Sequence, residues 1–314
     1  MSKVEKLNVL IDFLGHYRSE GINQHLFFCP SCKHHRQKLS INVEKNMFKC
    51  WICDYSGKSI FKLVKKFGSY KHRQEWSRLN NYVDLSDFSE QLFYEPPADD
   101  EKEILALPKE FISLANKNLP ISSAYALQYL RGRNITKKDI VKWKIGYCTS
   151  GEYKDRVVVP SFARDGKINY FVARSYTKDY QKYLNPSVSK NIVFNHLYID
   201  WSSDLCLVEG VFDAIVAGTN SIPILGSVLR EDSCLFQEIV KNDTDVYVAL
   251  DPDAESKAMK LIRSLLEYGV NVFKVDIYPH KDIGEMSKEE FLKRKNKAEM
   301  INQTNLFMKT LFNS

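Results

Sequence analysis

Two kinds of residue in this chain have the types and spacing to hold metal ions. The first is a set of acids at the ends of apolar runs. Val246-Tyr247-Val248-Ala249-Leu250 is followed by Asp251-Pro252-Asp253, two carboxylates separated by one proline. Extended residues two apart point the same way, and Pro252 biases Asp251 toward extended geometry, so both carboxylates are expected to face one side. Like charges this close repel unless a cation lies between them, and oxygen ligands suit magnesium or manganese. Read alone, the same residues also make a strand-to-helix turn in which Asp253 caps a helix starting near Ala254. Two further acidic clusters follow the same plan: Glu209 with Asp213, and Asp282 with Glu285.

The second set is sulfur. Cys29-Pro30-Ser31-Cys32 and Cys50-Trp51-Ile52-Cys53 are two Cys-x2-Cys knuckles with 17 residues (33–49) between them. Each pair can place two thiolates on one ion, so Cys29, Cys32, Cys50 and Cys53 make a closed tetrahedral zinc site. His34 and His35 are spare donors beside a shell already filled. Gly57-Lys58-Ser59 imitates the end of a phosphate-binding loop, but Ile52 stands where that loop needs glycine, so it is set aside.

The elements that must position these residues can be read around them. Between the knuckles, alternation over 38–43, a turn at 44–46 and Met47 to Cys50 predict a β-hairpin, the layout of a zinc ribbon. A helix over 60–78 carries Lys58, Lys62, Lys65, Lys66, Lys71 and Arg73, a basic face beside aromatics that suits single-stranded nucleic acid. Residues 82–103 hold eight acids against Lys102 and include Pro96-Pro97, which reads as a flexible acidic linker. From Leu107 an α+β stretch follows, helical from Ala124 to Trp143 with a break at Gly132, then short strands at 156–160, 167–172 and 182–186. From Asp204 the rhythm is regular α/β: strands at 205–208, 222–225, 246–250 and 270–278 alternate with helices, which predicts a small parallel sheet. Ser287 and Glu290 form a capping box for a C-terminal helix over 287–314. The fold class is therefore α/β and α+β multidomain. Its parts are a zinc-ribbon domain at 1–80, a linker at 81–106, an α+β subdomain at 107–203, a parallel-sheet domain carrying the acids at 204–286 and a helical tail at 287–314.

Composition narrows the function classes. A chain of 314 residues with 44% hydrophobic content supports two or three domains with a sizeable core. It has no apolar run long enough to span a membrane and no signal-peptide core, which implies a cytosolic protein with unpaired cysteines. Net charge is +6, compatible with a polyanionic partner.

Leu207-Val208-Glu209-Gly210 with Asp213, followed by Leu250-Asp251-Pro252-Asp253, resembles the Toprim domain. Tyr129-Leu130-Arg131-Gly132-Arg133 with Ile145-Gly146, Arg156-Val157-Val158-Val159-Pro160, Arg174 and Lys182-Tyr183-Leu184-Asn185-Pro186 resemble DnaG-type primases in particular. The order, zinc ribbon first, is the primase order. The resemblance implies synthesis of short RNA primers from ribonucleoside triphosphates on single-stranded DNA. It assigns Glu209, Asp251 and Asp253 as catalytic metal ligands, Asp213 and Asp282 as supporting ligands, and Glu209 as a candidate general base. Arg156, Arg174, Lys182 and Asn185 become candidates for nucleotide or template binding, and a replicative hexameric helicase the expected partner. Two departures stand out. The ribbon uses four cysteines, where bacterial members use three with a histidine; with the compact size this suggests a stand-alone bacteriophage primase acting in the cytoplasm of a bacterial host. The last acidic motif has Gly284 where the family has a second aspartate, which makes Glu285 the candidate substitute. The alternatives are a Toprim nuclease using the same acids on water, or a non-catalytic zinc-ribbon replication factor.

Overall fold

The computed structural model describes residues 3–19, 24–80, 105–177, 180–218, 220–226 and 229–302. The chain divides into two compact units, one formed by Met1–Lys102 and Leu266–Gly269, the other by Glu103–Leu265 and Val270–Ser314. Most of the acidic linker lies outside the described residues.

The first unit is an antiparallel sheet with helices on one side. Helix α1 spans Lys3–Leu14; strands β1 (Arg18–Ser19), β2 (Gln24–Phe27), β3 (Leu39–Asn42), β4 (Met47–Cys50) and β5 (Ser56–Gly57) pair in sequence order. The predicted hairpin is β3–β4, with Asn42 opposite Met47 and Leu39 opposite Cys50. Its turn is held by the Asn42 side chain, whose Oδ1 accepts from the Lys45 amide at 2.9 Å, with Asn46 in the left-handed region. The single helix expected over 60–78 is two, α2 (Ile60–Phe67) and α3 (Tyr70–Asn80), because the backbone turns extended at Gly68. Ile60, Leu63 and Val64, at helical spacing on α2, pack with Leu10, Phe27, Ile41, Phe48 and Trp76 into one core. Lys65 and Lys66 occupy the last turn of α2, where cations complement the helix dipole.

The second unit contains two sheets. Strands β6 (Phe111–Ser113), β7 (Gly146–Cys148), β8 (Arg156–Phe162) and β9 (Ile168–Ser175) form an antiparallel sheet, with α4 (Ser123–Arg131) and α5 (Lys137–Lys142) between β6 and β7. The expected strand at 182–186 is a single bridge, Tyr183 against Arg174. It runs along β9, where the Ser175 amide donates to the Lys182 carbonyl, but the Asn185 side chain takes the next bond by accepting from the Ala173 amide at 3.2 Å. A side chain has replaced a ladder carbonyl, so the strand goes no further.

The other sheet has the order β11-β10-β12-β13-β14. Strands β10 (Leu205–Val208), β11 (Ser221–Pro223), β12 (Val246–Ala249) and β13 (Val272–Lys274) are parallel, linked by helices α6 (Val211–Ala217), α7 (Cys234–Asn242) and α8 (Glu255–Glu267). All four residues of β10 are buried, as expected for a parallel strand covered on both faces. The tail differs from expectation. Helix α9 covers only Lys288–Asn296, and the chain returns as strand β14 (Glu299–Ile301), antiparallel to β13. Residues Lys293, Arg294 and Lys295 fill the last turn of α9 and satisfy its dipole, and the bare edge of β13 supplies the pairing that β14 needs. Residues 303–314 lie outside the described residues. No helix among the described residues is long and apolar enough to cross a membrane.

Candidate metal centre and nucleotide cavity

The four predicted zinc cysteines come together. One sulfur from each lies within 4.8 Å of the others, with Cys29 and Cys53 at 3.9 Å and Cys32 and Cys50 at 3.8 Å. A tetrahedral ion with bonds of about 2.3 Å requires sulfurs roughly 3.8 Å apart, whereas a disulfide needs about 2.05 Å. The donor set therefore fits zinc, and the four-cysteine group supports a structural zinc. Burial pushes the Cys29 and Cys50 thiols up, so holding four thiolates here requires a compensating cation.

The acids converge at the carboxyl ends of β10 and β12. Glu209 follows β10 directly. Asp251 is extended (φ −61°, ψ 151°), and Asp253 sits in a 3₁₀ turn at Pro252–Ala254. One carboxylate oxygen from each of Glu209, Asp251 and Asp253 lies within 4.8 Å of the other two. The reason differs from strand alternation: the chain tightens after Asp251, and the 3₁₀ turn swings Asp253 back toward Glu209. Asp253 does not cap α8, which starts two residues later. That first turn is tied to β13 by Glu255, whose oxygens accept from Lys274 Nζ at 2.5 and 2.6 Å.

Glu209 Oε2 and Asp251 Oδ1 are buried without a hydrogen-bond partner. Orphaned buried oxygens on adjacent acids are costly, and a divalent cation would satisfy both. Burial first, then the charges of Asp213, Glu209, Asp282 and Asp253, lift the Asp251 carboxyl to about 7.

Asp213 and Asp282 form a second pair rather than extending the triad. Asp213 Oδ2 accepts from the Gly210 amide at 3.0 Å. A Cβ at Gly210 would come within 2.9 Å of that oxygen, so the close approach requires glycine. Burial and the Asp282 charge raise the Asp213 carboxyl to about 6, with Gly210, Gly284 and Arg133 opposing. Asp282 Oδ1 accepts from the Glu285 amide at 3.0 Å. Its loop is braced by the Ser287 cap of α9 and by His280 against Glu290 at 2.9 Å, and Lys288 pairs with Asp139 of α5. The Glu285 carboxylate, the candidate substitute for the missing aspartate, accepts from the Lys281 amide at 3.0 Å.

A cavity of about 470 Å³ opens over the acids. Glu209, Asp213, Asp251 and Asp282 line it together with Arg133, Arg174, Asn185 and Lys190. Arg174 stacks over Tyr183 at 4.5 Å, and the Arg133 guanidinium lies over Tyr129 and Phe212 at 5.2 and 5.0 Å. Arg156 is a correction. It is only 5% exposed, and its Nη1 donates to the Gln181 and Lys182 carbonyls, fastening the 182–186 segment to β8. The Lys182 side chain is exposed and is absent from the cavity lining. Sequence reasoning did not single out Arg133 or Lys190. The signal for Arg133 was its place just after Gly132 in a motif already quoted; Lys190 has none.

No family model matches the chain. A DNA primase of Helicobacter pylori is 21% identical over 330 residues, covering 88% of this chain and 56% of that protein. Among solved structures, the zinc-binding and RNA polymerase domains of the Aquifex aeolicus primase align over 95% of this chain and 84% of that one, at 20% identity and a TM-score of 0.50. A DnaG primase catalytic domain bound to single-stranded DNA aligns over 61% of this chain and 76% of that one, at 18% identity and a TM-score of 0.52. The chain is homologous to DnaG-type DNA primases. It spans little more than half the length of the Helicobacter primase, and it shares the primase fold in both its zinc-binding and its catalytic parts.

Proposed function

We propose that this chain is a DNA primase that makes short RNA primers on single-stranded DNA by nucleotidyl transfer from ribonucleoside triphosphates. The observation that carries the reading is the Glu209–Asp251–Asp253 triad, whose Glu209 and Asp251 carry the two orphaned oxygens and line a cavity also walled by Arg133, Arg174 and Lys190. Similarity to primases supports nucleotidyl transfer as the chemistry such a site would serve.

Magnesium or manganese, held by Glu209, Asp251 and Asp253, would supply charge stabilisation to the transferring phosphoryl group and its leaving pyrophosphate. The protein's own groups do the rest. Arg133 and Arg174, fixed by stacking on aromatic rings, are pre-oriented cations for phosphate oxygens. Asn185 is held by its bond to β9, so its amide nitrogen is directed by the backbone rather than free to rotate. Asp213, gripped by backbone amides, sets the spacing between the Glu209 and Asp282 loops. The zinc unit, with its lysines on α2 and Lys49 over Trp51 at 4.8 Å, suits selection of the template position. The all-cysteine ribbon favours the bacteriophage branch, and a hexameric helicase would hold the enzyme on its template at high effective concentration.

The test is synthesis on single-stranded template with labelled ribonucleotides and magnesium. Short RNA is expected from the wild type, and none from Glu209→Gln, Asp251→Asn or Asp253→Asn. Wild-type synthesis by any of these three would remove that residue from the metal centre. Release of nucleotides from DNA without RNA synthesis would assign the acids to a nuclease.

A further inference from the structure

A second cavity, about 590 Å³, lies beside the acid site and has no role in the reading above. Ile224 and Leu250, at the ends of β11 and β12, and Leu261 of α8 give it apolar walls. Arg230, Lys257 and Lys260 give it charge. The two lysines are three apart on α8 and so share a helix face. All three cations are exposed, and no ion pair or hydrogen bond joins their side chains to another described residue. Leu250 is the neighbour in sequence of Asp251, so the cavity begins one residue from the acid triad. Between the two lies a smaller cavity of about 250 Å³: Ile224 and Arg230 line it and the large one, and Lys190 lines it and the acid cavity. The three cavities thus share walls in series, with a cation at each junction.

Starting a primer poses a charge problem that extending one does not. The 3′-hydroxyl oxygen of a first nucleotide attacks the α-phosphorus of a second. The bond from that phosphorus to the bridging oxygen breaks, pyrophosphate leaves with the bond's electrons, and the hydroxyl proton passes to a base. The first nucleotide keeps its own triphosphate throughout. That unreacted polyanion must be held outside the carboxylate cluster, which repels it, yet near enough for its ribose to reach the acids.

We propose that the Arg230–Lys257–Lys260 cavity holds the 5′-triphosphate of the initiating nucleotide. Its size is within the range of nucleotide-sized sites. Among the described residues its lining offers no aromatic platform for stacked bases, and Glu231 and Asp232 line it alongside the cations, which disfavours a continuous nucleic-acid strand. The inference rests on the primase reading and adds a site to it.

The experiment uses the full chain carrying Lys257→Ala with Lys260→Ala, and separately Arg230→Ala. Initiation on bare template is compared with extension of an annealed RNA primer, and 5′-triphosphate starters with 5′-monophosphate starters. The double variant is expected to raise KM for the initiating nucleotide tenfold or more relative to extension, and to lose the preference for triphosphate starters. Arg263→Ala, exposed on the same helix outside the cavity, should keep the wild-type ratio. An unchanged ratio and preference in the double variant, or an equal fall in initiation and extension, overturns the proposal. Calorimetric titration of GTP in magnesium-free buffer decides independently of synthesis: binding should weaken tenfold or more in the double variant, and equal binding by both proteins refutes the site. A wild type that binds GTP through these lysines but makes no RNA would instead sink the primase reading.

Discussion

Replacing Asp251 by asparagine should abolish synthesis and, in magnesium-free buffer, make the protein more stable. The carboxyl is carried from an ordinary 3.8 to about 7 by burial and by Asp213, Glu209, Asp282 and Asp253. The unfolded chain releases this proton above pH 3.8, whereas the folded chain holds it to about 7. A raised carboxyl therefore contributes stability that is full below pH 3.8 and is lost as pH rises through 7. At about 1.4 kcal/mol per pH unit, that displacement amounts to roughly 4 kcal/mol at pH 8. Asp251 is only half-buried, and solvent screening reduces this to about 2 kcal/mol. For a unit of this size, about 2 kcal/mol corresponds to a rise of roughly 4–8 °C in Tm. Asparagine keeps the shape, removes the charge and offers an N–H to the orphaned Glu209 Oε2. The assay is thermal unfolding of wild type and variant at pH 4.5, 6 and 8. The gain should be small at pH 4.5 and largest at pH 8, and magnesium should close the gap by stabilising the wild type alone. A gain independent of pH, or none at pH 8, would refute the crowded-carboxylate account.

The sulfur site predicts one zinc per chain by elemental analysis, and Cys29→Ser or Cys53→Ser should eliminate initiation at a preferred template position; absence of zinc from freshly purified protein would refute it. Gly284→Asp restores a carboxylate whose Cβ would stand 3.1 Å from Asp282 Oδ1 and 3.6 Å from Asp213 Oδ1. It should lower Tm without magnesium and tighten magnesium binding severalfold by calorimetry; looser binding would mean that this loop faces no metal. Arg133→Gln should cost on the order of 100-fold in synthesis, as loss of a pre-oriented charge does, while leaving the fold intact by circular dichroism; near wild-type rates would exclude Arg133 from phosphate binding.

What could be read from the chain alone divides by how local the cause is. The four cysteines were legible because a Cys-x2-Cys knuckle carries its own geometry and a hairpin between two knuckles closes the shell. Glu209 and Asp251 were legible because a buried strand must end at the ligand side of a parallel sheet. Asp253 was found for an incomplete reason: its approach comes from a 3₁₀ turn that periodicity does not reveal. Arg156 misled because charge says nothing about direction. In an antiparallel strand its guanidinium could face solvent or satisfy carbonyls of an adjoining segment, and the carbonyls of Gln181 and Lys182, both of which accept from its Nη1, decided it. Strand β14 was hidden because its pairing depends on the free edge of β13, where Ile301 meets Val272, a residue far back along the chain, rather than on its own sequence.

The missing aspartate at Gly284 gains meaning from the same distinction. Read along the chain, Glu285 was the only acid near enough to replace it. In space, Glu285 is committed to the Lys281 amide, while Asp213 Oδ1 reaches within 3.6 Å of the Gly284 Cβ position and Arg133 Nη1 within 3.9 Å. A second carboxylate on this loop would crowd Asp213 and Asp282, and burial together with the Asp282 charge already raises Asp213 to about 6. Glycine instead leaves that space to a carboxylate from α6 and a guanidinium following α4. The space that the loop leaves is therefore filled within the cavity by elements far away in sequence, and among the described acids Glu209 and Asp251, clustered with Asp253, are the ones that keep buried oxygens without a partner.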